Sequence, residues 1–218
     1  MKVKICGTTN LEDALTAVDA DADYLGFIFY PPSKRGTTVK EVQNITAHLR
    51  KLETCPLLVG VFVNETAQKM ADILDLCQLD LAQLHGDEVP AFIGKPTSPI
   101  YGRSFKALRP TSPEEAEADA EWYLPPQPMP GQPSLLIDTY HPTLRGGTGE
   151  TTDWQMSAHL AELYPGLMLA GGLTPENVAA AVKQVRPFAV DVASGVEARP
   201  GKKDPALVRA FIQNAKNS

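Results

Sequence analysis

Basic residues are in deficit. Twenty lysines and arginines stand against 26 aspartates and glutamates, giving a formal net charge of −6. That argues against a general nucleic-acid or anionic-membrane surface, because such partners need a basic face. It leaves room for a local anion site, since backbone N–H groups supply one without changing net charge. Cysteine is also scarce. Cys6, Cys55 and Cys77 are an odd number at unrelated spacings, which makes neither a disulfide framework nor a zinc pattern. His48, His141 and His159 lie on apparent helices or a loop without clustered partners, so no metal site is expected. No apolar run approaches the roughly 20 residues of a spanning helix, and no apolar signal core follows the first lysines. A reducing cytoplasm is the expected location. Proline is not lacking, at 19, but its densest cluster runs from Pro125 to Pro133 and reads as one local linker.

What is present is an alternation. Short apolar runs, read as buried parallel strands, are each followed by a helical pattern. The expected strands are Val3 to Cys6, Tyr24 to Phe29, Leu57 to Val63 and Leu81 to His85, then Phe105 to Leu108, Leu135 to Asp138, Leu167 to Ala170 and Ala189 to Val192. The helices between them are expected at Leu11 to Ala20, Val39 to Arg50, Thr66 to Cys77 and, poorly defined, Val89 to Lys95. Pro113 to Trp122, Trp154 to Tyr164, Pro175 to Val185 and Pro205 to Lys216 follow. Helix starts are marked by Asn10, by Asn64 before Glu65, and by Pro175 at a first helical position. An open doubly wound sheet would also alternate. Eight βα units within 218 residues leave almost no spare length and favour closure into a single-domain (β/α)₈ TIM barrel over residues 1–218.

Closure fixes where chemistry belongs, at the C-terminal strand ends and the loops after them. Side chains alternate along a strand, so Lys4 shares a side with Cys6, and Gln83 with His85. Asp138 ends the apolar run Leu135-Leu136-Ile137, and Asp191 interrupts Ala189-Val190-Val192. Polar groups in such strands are most easily accommodated inward, near the open end. For Lys4, Gln83 and Lys106 a structural network plugging the barrel is the favoured reading. Asp138, at a strand tip beside a glycine-rich loop, is a functional candidate. Cys6 sits at a strand tip before glycine, and its residue type alone leaves a small core residue open; that reading is preferred for Cys55 and Cys77.

Gly171-Gly172 follows the seventh strand and Ser194-Gly195 the eighth. Glycine lets backbone donors approach an anion, and these two loops are the usual phosphate site of the barrel class. Gly146-Gly147-Thr148-Gly149 has the flexibility of a lid and lacks the Lys-Ser/Thr ending of a nucleotide loop.

These segments together carry a resemblance. Lys4-Ile5-Cys6-Gly7-Thr8, Gly26-Phe27-Ile28-Phe29 with Ser33-Lys34-Arg35, and Val59-Gly60-Val61-Phe62-Val63 resemble the first three units of the phosphoribosylanthranilate isomerase family of tryptophan biosynthesis. So do Gln83-Leu84-His85-Gly86-Asp87-Glu88, Gly146-Gly147-Thr148-Gly149 with Asp153-Trp154, and Ala170-Gly171-Gly172-Leu173 with Asn177-Val178. Asp191-Val192-Ala193-Ser194-Gly195-Val196-Glu197 with Gly201-Lys202-Lys203-Asp204 completes the set, in register along residues 2–204. The resemblance implies a cofactor-free Amadori rearrangement of N-(5-phosphoribosyl)anthranilate to 1-(2-carboxyphenylamino)-1-deoxyribulose 5-phosphate. It implies Cys6 as general base, Asp138 as general acid and Arg35 as the partner of the anthranilate carboxylate. Lys4, Gln83, His85 and Asp191 are supporting candidates, His85 more as a hydrogen-bonded structural group than as a further acid or base. Gly36-Thr37-Thr38 replaces the bulkier residues usual after the arginine, which puts that loop's shape in question. The proline-rich segment is likewise particular to this chain and is expected at the far end of the barrel.

A base at Cys6 needs a lowered pKa or a neighbour that stabilises the thiolate. Lys4, roughly 6–7 Å away by strand rise, is the candidate. The expected partner is a small-molecule phosphorylated sugar substrate, with no nucleic acid or membrane, and the chain is expected to be a monomer or homodimer. The rivals are another phosphosugar barrel, such as an epimerase or a histidine-pathway isomerase whose strand-one base is typically aspartate, and a catalytically silent phosphate-binding barrel.

Overall fold

The alternation closes on itself. The structure, a computed structural model, describes residues 1–127, 131–138 and 150–218, with the backbone alone for 150–153. Eight parallel strands form a closed barrel in sequential order. They are β1 (Lys2–Ile5), β2 (Tyr24–Ile28), β3 (Leu57–Phe62), β4 (Leu81–Leu84), β5 (Ser104–Leu108), β6 (Leu135–Asp138), β7 (Leu167–Ala170) and β8 (Ala189–Val192). The ring is shut by β1 against β8, with Lys4 opposite Asp191. Around it lie α1 (Leu11–Asp19), α2 (Val39–Leu49), α3 (Ala67–Leu76), α4 (Ala91–Gly94), α5 (Pro113–Tyr123), α6 (Glu150–Leu163), α7 (Val178–Val185) and α8 (Pro205–Lys216). Among the described residues no helix is long and apolar enough to cross a membrane.

Strand alternation splits the apolar core in two. Tyr24, Val59, Leu81, Phe105, Leu136 and Met168 pack together inside the barrel. Outside, Val3, Ile5, Leu25, Phe27 and Leu58 meet the helices through residues such as Leu49, Leu74 and Phe211. The same parity corrects the reading of Lys106. Phe105 and Ala107 belong to the inner cluster, so Lys106 faces outward. There its ammonium pairs with Glu88 at 3.0 Å, donates to the Gly86 carbonyl and lies over the Tyr123 ring. It is no part of a plug in the barrel.

Helix starts follow capping chemistry, with two corrections. Asn10 caps α1 by accepting from the Asp13 N–H at 2.9 Å, as expected. Thr66, and not Asn64, caps α3 by accepting from the Lys69 N–H. Asn64 takes φ +55° and instead spans to the next loop, its Oδ1 accepting from the Asp87 N–H at 2.6 Å. The seventh helix begins at Val178, one turn after Pro175, because the Asn177 side chain accepts from the Thr174 N–H and holds a turn ahead of it. The fourth helix is a single turn.

After β8 the chain makes a short 3-10 helix, Ser194–Val196, and then a two-stranded antiparallel sheet of β9 (Glu197–Arg199) and β10 (Lys202–Lys203) that the apolar pattern does not announce. The C-terminal end of the proline-rich segment is at the opposite mouth, where Gly131 O accepts from Lys2 Nζ at 3.0 Å and Tyr24 OH at 2.7 Å. That is the far-end placement expected. Residues 128–130 of the segment lie outside the described residues.

Candidate active site

A cavity of about 980 Å³ opens at the C-terminal ends of the strands. Its walls bring together residues far apart in sequence: Cys6, Arg35, Gln83, His85, Asp138 and Asp191. Gly171, Gly172, Ser194 and Gly195 rim it on the β7–β8 side.

Cys6 follows β1 on the inward parity and is buried. Lys4, one inward position deeper, is fully buried and pairs with Asp191 Oδ1 at 3.0 Å. Both reactive atoms lie against Gly26. A Cβ there would come within 2.9 Å of Cys6 Sγ and 3.1 Å of Lys4 Nζ. The glycine in β2 is therefore what lets ammonium and thiol share one corner. Burial pushes the Cys6 thiol above its ordinary pKa, the Lys4 cation pulls it back, and Asp191 opposes Lys4. The thiol is not poised low by itself; the lysine offsets part of the cost of burial.

Across the barrel, His85 follows β4 and Asp138 ends β6. His85 Nε2 lies 3.8 Å from Asp138 Oδ2. On the ring's other side, the Gln83 side-chain amide nitrogen lies 2.9 Å from Nδ1. With that amide donating, the imidazole carries its proton on Nε2, toward Asp138. Burial, with the cations Arg109, Lys4 and Lys106, drives the His85 pKa down to about 3. His85 is thus neutral at physiological pH, a hydrogen-bond donor and not a cation. The Gln83 Oε1 atom is buried and has no hydrogen-bond partner among the described residues. Buried polar atoms are rarely left so, and Gln83 lines the cavity.

Arg35 sits in the loop after β2. The shape of that loop is fixed despite Gly36-Thr37-Thr38. Gly36 N–H donates to Ser33 O, Thr37 N–H to Ile28 O, and Thr38 caps α2. A Cβ at Gly36 would approach Tyr30 O to 2.8 Å, so only glycine fits the turn. The Arg35 stem crosses Gly7, where a Cβ would meet Arg35 Cδ at 2.7 Å. Its Nε and Nη2 each donate to the Glu197 carboxylate at 2.8 Å.

At the β7–β8 rim, Gly171 and Gly172 take φ +95° and +62°, conformations that favour glycine. A Cβ at Gly195 would fall 2.0 Å from Leu173 O. The two loops are thus packed against each other through backbone, which leaves their peptide groups at the cavity edge.

Nearly every expected site residue is gathered here, with Lys4 just beneath. Gly146-Gly147-Thr148-Gly149, Arg145 and His141 lie outside the described residues, as does the Asp153 side chain. Sequence reasoning assigned nothing to Arg109, Glu197 or Lys203. Arg109 lines the cavity and donates to the His85 carbonyl at 2.7 Å. Its signal was available, since it continues the inward parity of Phe105 and Ala107.

A family model described as N-(5'-phosphoribosyl)anthranilate (PRA) isomerase matches residues 3–214. The chain belongs to this family. The isomerase of Trichlorobacter lovleyi is 43% identical over 218 residues, covering 100% of this chain and 99% of that one. That of Pseudomonas fluorescens is 45% identical over 212 residues, 97% of each. Among solved structures, phosphoribosyl anthranilate isomerase from Thermotoga maritima superposes with TM-score 0.81 at 39% identity, covering 100% of both chains. Another phosphoribosyl anthranilate isomerase, in complex with reduced 1-(o-carboxyphenylamino)-1-deoxyribulose 5-phosphate, gives TM-score 0.79 at 37% identity over 100% of both chains. Membership in the phosphoribosylanthranilate isomerase family agrees with the TIM barrel and with a cavity at its C-terminal mouth.

Proposed function

We propose that this chain is a phosphoribosylanthranilate isomerase of tryptophan biosynthesis, with Cys6 as general base and Asp138 as general acid. The observation that carries this reading is the convergence of a thiol from β1 and a carboxyl group from β6 on one cavity rimmed by the β7 and β8 glycine loops. The backbone amides near Gly171, Gly172, Ser194 and Gly195 hold the phosphate. That anchors the ribose between the two reactive groups.

The chemistry then runs in two proton transfers. Asp138 gives its proton to the ribose ring oxygen as the C1–O bond breaks, leaving a cationic Schiff base between C1 and the anthranilate nitrogen. That cation acidifies the C2 hydrogen beside it. Cys6 thiolate takes the C2 proton, the electron pair moves into the C1–C2 bond, and the resulting enol relaxes to the aminoketose. Lys4 supports the thiolate, and Arg35 takes the anthranilate carboxylate. Gln83 Oε1 accepts a hydrogen bond from a ribose hydroxyl. Asp191 keeps Lys4 in place. The Nε2–H of neutral His85 faces Asp138, which places a donor beside the acid without a competing cation. The chain works in the cytoplasm as a monomer or homodimer.

The direct test follows the fluorescence of phosphoribosylanthranilate generated in the cuvette. Purified protein added at catalytic concentration is expected to abolish the signal, and a signal that decays only at the spontaneous rate would end the proposal.

Lys4 gives a pH-dependent prediction. Its ammonium favours the thiolate, so Lys4→Met removes the favourable charge and leaves Asp191 without its cation. Both changes raise the Cys6 pKa further. In a background lacking Cys55 and Cys77, alkylation of Cys6 by iodoacetamide near pH 8 is expected to slow by about tenfold or more, equal to at least one pKa unit. An unchanged rate–pH profile would remove Lys4 from the base.

A further inference from the structure

The Gly201-Lys202-Lys203 segment and Glu197 have so far been given no task. Glu197 and Lys203 belong to the β9–β10 sheet and Gly201 to the turn between its strands; Gly201 and Lys203 contact Glu197, which holds Arg35. Glu197 is 4% exposed at its side chain, against 24% for Arg35. Its carboxylate accepts four charged or backbone donors: Arg35 Nε and Nη2 at 2.8 Å each, Gly201 N–H at 3.2 Å, and Lys203 Nζ at 3.3 Å. Lys203 is itself buried, donates to Ala193 O at 2.9 Å, and has its backbone N–H held by Asp13 Oδ2 at 2.8 Å. The hairpin is thus tied to α1 on one side and grips one guanidinium edge on the other.

The edge matters. Guanidinium is planar with five N–H donors, and it presents two forks suited to a carboxylate. Glu197 occupies the fork made by Nε and Nη2. Among the described residues the end-on fork, Nη1 with the second N–H of Nη2, takes no partner, and Arg35 lines the cavity. Charge supports the same division of labour. Two cations, Arg35 and Lys203, meet one carboxylate, so the cluster keeps a positive charge for an incoming anion. A long arginine left to itself would sample many rotamers, and fixing it beforehand removes that cost from binding.

We propose that Glu197 is the positioning residue for Arg35, holding the guanidinium so that its free fork receives the aryl carboxylate of the substrate. This rests on the reading of Arg35 given above. It makes Glu197 a determinant of carboxylate specificity, acting through Arg35 and not on the reacting atoms.

The test compares N-(5-phosphoribosyl)anthranilate with its aniline counterpart, which lacks the carboxylate, in wild type, Glu197→Gln, Glu197→Asp and Arg35→Met. For Glu197→Gln the expected result is a KM for the anthranilate substrate raised about tenfold or more, with kcat changed less than about threefold. The ratio of kcat/KM values between the two substrates is expected to fall by the same factor. Glu197→Asp, which keeps the charge at shorter reach, is expected to fall between wild type and Glu197→Gln, and it carries the comparison should Glu197→Gln not fold. Equal losses on both substrates would make Glu197 merely structural and overturn the inference. A ratio unchanged in the Glu197 variants but collapsed in Arg35→Met would also overturn it while sparing the role of Arg35. A ratio unchanged even in Arg35→Met would show that the reading of Arg35 itself had failed.

Discussion

Replacement of Cys6 by serine is expected to lower kcat by at least about 10²-fold while binding of the phosphorylated ligand is largely kept. Serine fits the space of cysteine against Gly26, whose absent side chain leaves little room for anything larger. The loss is therefore one of acidity. Burial raises the thiol's pKa and Lys4 offsets part of that rise, so the thiol remains more acidic than it would be without the lysine. Each pKa unit costs a factor of ten in the ionised fraction, and a hydroxyl lies several units higher. Among the described residues, the other titratable groups at that corner are Lys4 and Asp191. Lys4 is a cation, and Asp191 is engaged by it. Steady-state turnover, with binding of a reduced product analogue measured separately, checks the result. Near-normal kcat in Cys6→Ser would refute the base.

Asp138→Asn is expected to cost at least about 10²-fold in kcat as well, again with binding largely preserved. The amide matches the carboxyl in size and has no proton to give at the ring oxygen. The neighbour that looks able to substitute is His85, 3.8 Å away. It is not, because its pKa is driven to about 3 and it holds no imidazolium proton near neutrality. The same fact gives the sign of the pH dependence. No limb of the rate profile between about pH 5 and 8 is expected to come from His85, although that is the usual histidine range. Single-turnover rates for Asp138→Asn test the assignment, and a rate within a few-fold of wild type would transfer the acid role elsewhere.

The fold was legible because burial on both faces turns each strand of a parallel barrel into an apolar run, and eight such runs leave little sequence unaccounted for. That Cys6 and Asp138 would line the open mouth was legible for the complementary reason, as they stand at the tips of those runs, whereas Cys6 by residue type alone left a small core residue open and its role as base comes from the resemblance. What escaped is what depends on distant partners. Nothing local in Glu197 tells that it will hold Arg35, 162 residues earlier. Lys106 shows the limit of reading polarity alone. A lysine within a strand needs partners, which suggests the barrel interior, yet the parity set by Phe105 and Ala107 turns it outward to Glu88. The same parity turns Lys106 outward and Arg109 into the cavity. Asn64 misled for a related reason, since a residue type that caps helices also tolerates positive φ and bridges loops.

The claim beneath all of this is spatial, that one pentose sits between the β1 thiol and the β6 carboxyl group with its phosphate on the β7–β8 loops. A crystal structure of this chain with the reduced aminoketose phosphate bound tests it most directly. The account predicts Cys6 Sγ and the Asp138 carboxyl within contact of opposite sides of the sugar carbons, and the phosphate on the backbone near Gly172 and Gly195. A ligand whose sugar touches neither group, or whose phosphate lies away from those loops, would contradict it.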